Sequence, residues 1–362
     1  MVILGIESSC DETAASVISA EEGGVMKVHS NIVSSQISIH ALYGGVVPEI
    51  ASRAHCEAIT NVVRKAMENA PAPDAIAVTF APGLIGCLLV GVSFAKSLAS
   101  ALELPLIPID HIKAHVAAAH LENVFSVDSY NALVVSGGHT SIYRVDRDID
   151  FTEIGSTRDD ACGEAFDKVG RVLGLPYPGG AAMDRLAQKA FEKFGSDPKG
   201  YIPFPSPAVG DDDCFDYSFS GLKTAVINHV NNEKQRNRTD VLSEDEILRI
   251  AGSFTRTVCA GVVTKLDAAM KANPSEILVL AGGVAANSHL RKAVSELCES
   301  RKVRLITPSI PLCGDNGAMV ASAGYYSFRA GIIADSSLNA FASDEGSKAY
   351  LDQIRQKRDS RS

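Results

Sequence analysis

Two histidines four residues apart, His111 and His115, stand in the segment Ile109-Asp110-His111-Ile112-Lys113-Ala114-His115, and an alanine-rich run follows to His120. The apolar stretch Leu104 to Pro108 ahead of them reads as a buried strand leading into a helix. On a helix, residues i and i+4 share a face, so the two imidazoles point the same way. Such a pair can chelate one metal ion, zinc or iron. Taken alone, it reads more readily as two hydrogen-bonded histidines on a partly buried helix. The residue after His111 is Ile112, so the glutamate of an HExxH motif is missing, and with it the usual general base of a zinc peptidase.

Other groups have chemistry to offer. Asp315, in Cys313-Gly314-Asp315-Asn316-Gly317, can serve as part of a helix cap. As a third ligand it would complete a His-His-carboxylate set that leaves positions open for substrate oxygens. The segment Ser8-Ser9-Cys10-Asp11-Glu12-Thr13 brings hydroxyls and two carboxylates into one tight turn. In Ser136-Gly137-Gly138-His139-Thr140 the paired glycines leave backbone N–H groups accessible to a phosphate or an acyl group. Asp160, Glu164 and Asp167 open a helix where Gly163 leaves room, and a ribose hydroxyl is a natural mate for such an acid. Gly282-Gly283-Val284-Ala285-Ala286-Asn287 lies between a strand and a helix, where open α/β sheets place ligands, and suits a purine nucleoside. No GxxxxGK[ST] occurs, which excludes a P-loop protein.

These residues need elements to hold them. Val2 to Ile6, the polar turn and Ala14 to Ile18 predict a hairpin. The same grammar returns at Ala132–Val135, the glycine turn and Ser141–Val145, which predicts an internal structural repeat of two sheets. Between and after the hairpins, strands alternate with helices, as over Glu49–Ala70, Leu88–Ala101 and Glu244–Ala272. This pattern predicts an α/β fold with mostly parallel sheets covered by helices. Arg53, Glu57, Asn61 and Lys65 mark the wet face of the first long helix. Gly195 to Tyr217 reads as a long ordered loop, and Glu233 to Asp240 as a flexible excursion.

The chain of 362 residues, 46% hydrophobic and 21% charged, has material for two packed domains. We expect one lobe over 1–120, completed by about 325–345, a second over 121–324, and a flexible basic tail over 346–362. A formal net charge of −9 excludes a surface that binds nucleic acid throughout; an RNA partner would need a local basic face or a helper protein. The eight cysteines are scattered with no CxxC pair, which fits a reducing compartment. The amino terminus reaches Glu7 at once and reads as a strand, not a signal peptide. The longest apolar run, Leu84 to Ala95, falls short of the roughly 20 residues that span a bilayer. A soluble cytoplasmic protein is expected.

Together these motifs resemble the universal tRNA threonylcarbamoyladenosine biosynthesis family, TsaD in bacteria. The resemblance runs from Gly5-Ile6-Glu7-Ser8-Ser9-Cys10-Asp11-Glu12-Thr13 to Gly314-Asp315-Asn316-Gly317-Ala318. Between them lie Tyr43-Gly44-Gly45-Val46-Val47-Pro48-Glu49, Gly83-Leu84-Ile85-Gly86, the histidine segment, Gly163-Glu164-Ala165-Phe166-Asp167-Lys168, Tyr177-Pro178-Gly179-Gly180 and Phe219-Ser220-Gly221-Leu222-Lys223.

The resemblance implies an actin/hexokinase/Hsp70-like (ASKHA) fold, two lobes around a nucleotide cleft. It implies transfer of a threonylcarbamoyl group from threonylcarbamoyl-AMP to the N6 amine of adenosine 37 in tRNAs reading ANN codons. By the family pattern His111, His115 and Asp315 hold one iron or zinc ion. Val134, Val135, Ser136, Gly137, Gly138, His139, Asp167, Gly180, Asp184 and Asn287 would line the substrate site, which ATP or ADP can also occupy. Asp167 and Asp184 would face ribose, and Asn287 the base. Asp11 or Glu12 would orient or deprotonate the attacking amine. Implied partners are tRNA, a TsaB-like paralogue, a TsaE-like ATPase and an upstream threonylcarbamoyl-AMP synthase, with a homodimer as the form without the paralogue. A sugar or acetate kinase of the same fold, a metallopeptidase and a nucleotide-gated scaffold are the competing readings.

Overall fold

In the computed structural model, residues 1–359 are described except 126, 148, 196, 197 and 212. Among the described residues, ten strands and twelve α-helices follow in chain order. The first part of the chain carries β1 (Val2–Glu7), β2 (Glu12–Ser19), β3 (Lys27–Ser35), α1 (Ile37–His40), α2 (Pro48–Met67), β4 (Ala75–Ala81), α3 (Ile85–Leu102), β5 (Leu106–Asp110) and α4 (His111–Ala117). Next come β6 (Ser129–Val135), β7 (Thr140–Asp146), β8 (Asp150–Ser156), α5 (Cys162–Val172), α6 (Gly179–Phe194), α7 (Ser220–Asn237), α8 (Glu244–Ala272), β9 (Ile277–Ala281) and α9 (Ser288–Arg301). The chain closes with β10 (Arg304–Ile306), α10 (Ile310–Cys313), α11 (Gly317–Arg329) and α12 (Asp344–Asp359).

The chain divides into two compact units. One comprises Met1–Asp128, Asp146–Phe151 and Pro308–Ser362; the other comprises Ser129–Val145 and Thr152–Thr307. The first unit thus takes in the whole of α11, beyond the boundary at 324 expected from the sequence. The reason is packing: Gly5, Gly317 and Gly324 let α11 lie directly on the strands, where a Cβ on Gly5 would stand 2.3 Å from the Gly317 carbonyl oxygen.

The first unit is built on a five-stranded sheet of order β3-β2-β1-β4-β5. β1 pairs antiparallel with β2 and parallel with β4, which pairs parallel with β5. Alternate residues of the strands face opposite sides. Leu4, Ile6, Val17, Ile76 and Val78 pack under α2, α3 and α12. Ile3, Ile18, Ala77, Ile107 and Ile109 pack under α4 and α11. Arg53, Glu57, Asn61 and Lys65 are exposed, as the helical pattern requires. Residues 346–359 belong to α12 instead of forming a free tail, because Leu351 and Ile354 are buried in this core.

The second unit has a five-stranded sheet of order β10-β9-β6-β7-β8, the same succession read from the other edge. β6 pairs parallel with β9, and β9 parallel with β10. The internal repeat is therefore one of topology. Each sheet has a hairpin, a third strand beside it, and two parallel strands on the other side of the hairpin's first strand. The Ser243 capping box starts α8, whose Gly252 gives α6 a close approach: a Cβ there would meet the Ala190 Cβ at 2.7 Å. Residues 233–237, expected as a flexible excursion, extend α7 instead. By length and composition α3 and α8 could each cross a membrane, yet both turn buried faces to the protein, Leu88, Val92 and Ala95 in α3 and Phe254, Val258 and Leu266 in α8.

Candidate functional site

In the first unit the chemistry gathers at the carboxyl ends of the parallel strands β1, β4 and β5, the edge at which α/β sheets present ligands. Asp110 ends β5 and caps α4, accepting from the backbone N–H groups of Ile112 and Lys113. That cap fixes the start of the helix, so His111 and His115 lie one turn apart with ring centroids 4.7 Å from each other. Asp315 arrives from the other side of the sequence, just ahead of the Asn316 cap of α11. One donor atom from each of His111, His115 and Asp315 falls within 4.8 Å of the others. Asp315 Oδ1 is 3.6 Å from His111 Nε2 and 3.2 Å from His115 Nε2.

These residues fit a metal ion. Ligand atoms bonded to one ion at about 2.1 Å stand roughly 3.0–3.5 Å apart, close to the separations found. Among the described residues neither buried ring nitrogen of His115 makes a hydrogen bond, Asp315 Oδ1 lying 3.2 Å from Nε2 without bonding geometry, a costly state unless another ligand takes one of them. Two imidazoles and one carboxylate form a donor set suited to zinc or iron.

Beneath His111 lies Glu7, fully buried, with Oε2 3.1 Å from the His111 Nδ1 atom. Burial opposes charge on both groups, but their mutual attraction outweighs it. His111 is pushed up to about 9 by the Glu7 and Asp315 carboxylates, and Glu7 is held below the ordinary carboxylate value by His111. The hairpin tip is held as tightly. Ser8 Oγ donates to the Cys87 carbonyl, His55 bonds the Thr13 hydroxyl at 2.7 Å and the Cys10 carbonyl at 3.0 Å, and burial keeps His55 below its ordinary pKa. Of the two tip acids Asp11 is buried, while Glu12 is pushed up to about 9 by burial, by the charge of Asp315 and by Asp11.

The second unit places its expected substrate residues at the equivalent strand ends. Val134 and Val135 are buried in β6, and the turn Ser136–His139 closes with Ser136 N–H donating to the His139 carbonyl and His139 N–H to Ser136 Oγ. Gly137 and Gly138 are exposed at the tip. Gly163 presses on this turn, and a Cβ there would stand 2.6 Å from the Ser136 carbonyl oxygen. Asp167 accepts from the backbone N–H of Gly179 next to Gly180, and Asp184 accepts from the N–H and Oγ of Ser288. Asn287 caps α9, accepting from His289 and Leu290. Asp160, by contrast, is engaged by Lys168 and Lys223, and Glu164 by Lys168, so ion pairs occupy both.

Gly83 after β4 and Gly282 after β9 show the repeat at atomic level. A Cβ on Gly83 would stand 2.6 Å from the Ser9 carbonyl oxygen, and one on Gly282 2.4 Å from that of Val135. In each unit a glycine lets the fourth strand's exit touch the end of the hairpin's first strand.

A family model described as "TsaD: tRNA N6-adenosine threonylcarbamoyltransferase" matches residues 27–322. The tRNA N6-adenosine threonylcarbamoyltransferase of Staphylococcus saprophyticus is 46% identical over 94% of this chain and 95% of that protein. The chain belongs to this family. A second TsaD-family relative, the enzyme of the same name from Fusobacterium nucleatum, is 48% identical over 91% of this chain and 92% of its own length. Among solved structures, T. kodakarensis HypF matches with a TM-score of 0.60 at 15% identity, covering 93% of this chain and 49% of that one. The fold of this TsaD-family chain is the α/β, ASKHA-type fold.

Glu7, Thr79 and His55 were not singled out by their sequence positions. Glu7 had a signal, a charge ending an apolar strand, which must be partnered when buried. His55 had one too, lying on the face of its helix opposite Arg53 and Glu57.

Proposed function

We propose that this chain transfers the threonylcarbamoyl group of threonylcarbamoyl-AMP to the N6 amine of adenosine 37 in tRNAs reading ANN codons. The observation that carries the reading is the convergence of His111, His115 and Asp315 in a chain of the TsaD family. His111, His115 and Asp315 would hold one iron or zinc ion, which when bound supplies Lewis-acid stabilisation of substrate oxygens. The donor is a carbamoyl–phosphate mixed anhydride, already activated, so what remains for the protein is positioning and charge stabilisation.

Each chain residue then has a task. The backbone N–H groups of Gly137 and Gly138 face outward and would bind phosphate or acyl oxygens, beside Val134, Val135, Ser136 and His139. Asp167, Asp184 and the start of α6 at Gly180 would meet ribose. Asn287 uses its Oδ1 for the α9 cap, and its Nδ2 amide makes no hydrogen bond among the described residues, which suits a purine acceptor. In the metal-free chain burial, the charge of Asp315 and Asp11 push Glu12 up to about 9, and a metal ion on Asp315 would offset part of that rise. Asp11 or Glu12, side by side at the hairpin tip, would orient the attacking amine or accept the proton it loses. The partners of the same reading are tRNA, a TsaB-like paralogue, a TsaE-like ATPase and a threonylcarbamoyl-AMP synthase that supplies the donor, in the cytoplasm.

The test incubates unmodified tRNA with threonylcarbamoyl-AMP and this protein, with and without the two partner proteins, followed by nucleoside analysis. Threonylcarbamoyladenosine is expected. Its absence under every partner combination overturns the reading.

A further inference from the structure

We propose that Glu7 is the positioning residue of the metal centre: it fixes the His111 ring so that Nε2 is the atom offered to the ion. The inference rests on the metal reading above and extends it to a residue outside the set of three ligands.

Glu7 ends the apolar strand β1 and is completely buried. A buried carboxylate survives only if its oxygens are satisfied, and here they are. Oε1 accepts from the Ser9 backbone N–H at 2.6 Å. Oε2 accepts from Thr79 Oγ1 at 2.6 Å and lies 3.1 Å from His111 Nδ1. The carboxylate is thus clamped by its own hairpin and by β4, and cannot swing away from the imidazole. The Ser9 hydroxyl also lies 3.1 Å from Nδ1 and can donate or accept, so it is the carboxylate, an acceptor with no proton of its own, that favours a hydrogen on Nδ1. In the neutral ring the lone pair is then on Nε2, the atom that faces Asp315 at 3.6 Å.

His115 supplies the contrast. Its Nε2 faces Asp315 Oδ1 at 3.2 Å, and its Nδ1 has no hydrogen-bond partner among the described residues. The two histidines are therefore unequal: His111 has a carboxylate on its Nδ1 that orients the ring and makes it a stronger donor, whereas no such group bonds the Nδ1 of His115 among the described residues. Carboxylate–histidine pairs of this kind change metal affinity by about 10–100-fold when the outer partner is lost.

The experiment titrates metal-free protein with Zn2+ against a chromophoric chelator and records the absorption spectrum with Co2+. It compares wild type with Glu7→Gln, which keeps size and loses charge, and each variant's thermal midpoint is measured without metal. Zn2+ affinity of Glu7→Gln is expected to fall about 10–100-fold with a changed Co2+ spectrum. A folded Glu7→Gln protein with wild-type affinity and spectrum overturns the inference. Should that variant fail to fold, Glu7→Asp carries the same measurement: shortening the side chain draws the carboxylate off Nδ1, so weaker binding supports the role and unchanged binding overturns it. Wild-type protein that takes up neither metal overturns the metal reading itself, a result distinct from either variant outcome.

Discussion

Gly317 rests its backbone on Ala15: a Cβ at Gly317 would stand 2.4 Å from the Ala15 carbonyl carbon. The first turn of α11 therefore sits on β2 with no side chain between them, and Asp315, two residues earlier, inherits its place from that contact. Gly317→Ala should push the helix off the strand. We expect a loss of about 1–3 kcal/mol in stability, the usual cost of overpacking, together with weaker metal binding. Thermal denaturation and metal titration of the same sample check both. A variant as stable as wild type would show that the contact does not set the position of α11.

His115→Ala separates metal binding from folding. The ring contributes packing, and its loss leaves a cavity worth about 2–4 kcal/mol. It also removes a buried Nδ1 that has no hydrogen-bond partner among the described residues, which costs about 1–3 kcal/mol in the metal-free protein. These effects oppose each other, so the metal-free variant should melt close to the metal-free wild type. Its metal content after dialysis should fall to background, and activity with it. Elemental analysis showing unchanged metal would remove His115 from the centre.

Glu12 gives the pH dependence of stability a definite sign. Its folded value of about 9 lies above its ordinary value of 4.5. The folded state therefore holds this proton more tightly than the unfolded chain does, and stability falls as pH rises through that interval. Glu12→Gln cannot ionise. In metal-free protein, the variant should gain on wild type steadily from about pH 5 to pH 9 in urea midpoints, and the two should differ least below about pH 4.5. A constant difference across the range would mean that Glu12 titrates normally.

Much of this was legible in the chain, for reasons that can be named. The spacing of His111 and His115 is local, and helix geometry converts it into a shared face. The two hairpin tips announce themselves because polar turns interrupt apolar strands at Ser8 and again at Ser136. What local pattern cannot give is pairing across the sheet: Glu7 meets Thr79 and His111 only because β1, β4 and β5 are neighbours. Asp160 looked available for ribose until Lys223, from α7, reached it. The end of the chain misled through composition. The many charges of α12 mask Tyr350, Leu351 and Ile354, which form a single apolar stripe on the first unit's core.

Asp184 tests whether a residue that supports the fold also serves the substrate. Its Oδ1 accepts from the N–H and the hydroxyl of Ser288 at the start of α9, a contact that Asn can keep through its own carbonyl oxygen. Asp184→Ala loses it and should cost about 1 kcal/mol, as the loss of a helix cap does. Asp184→Asn should leave stability within about 0.5 kcal/mol of wild type, but it exchanges a charged acceptor for a neutral one. Hydrogen bonds to charged groups are worth about 1.5–3 kcal/mol. A ribose contact through this carboxylate therefore predicts a rise of about tenfold in KM for threonylcarbamoyl-AMP in the Asn variant, with kcat little changed. An Asn variant with wild-type KM would assign Asp184 to the α9 cap alone.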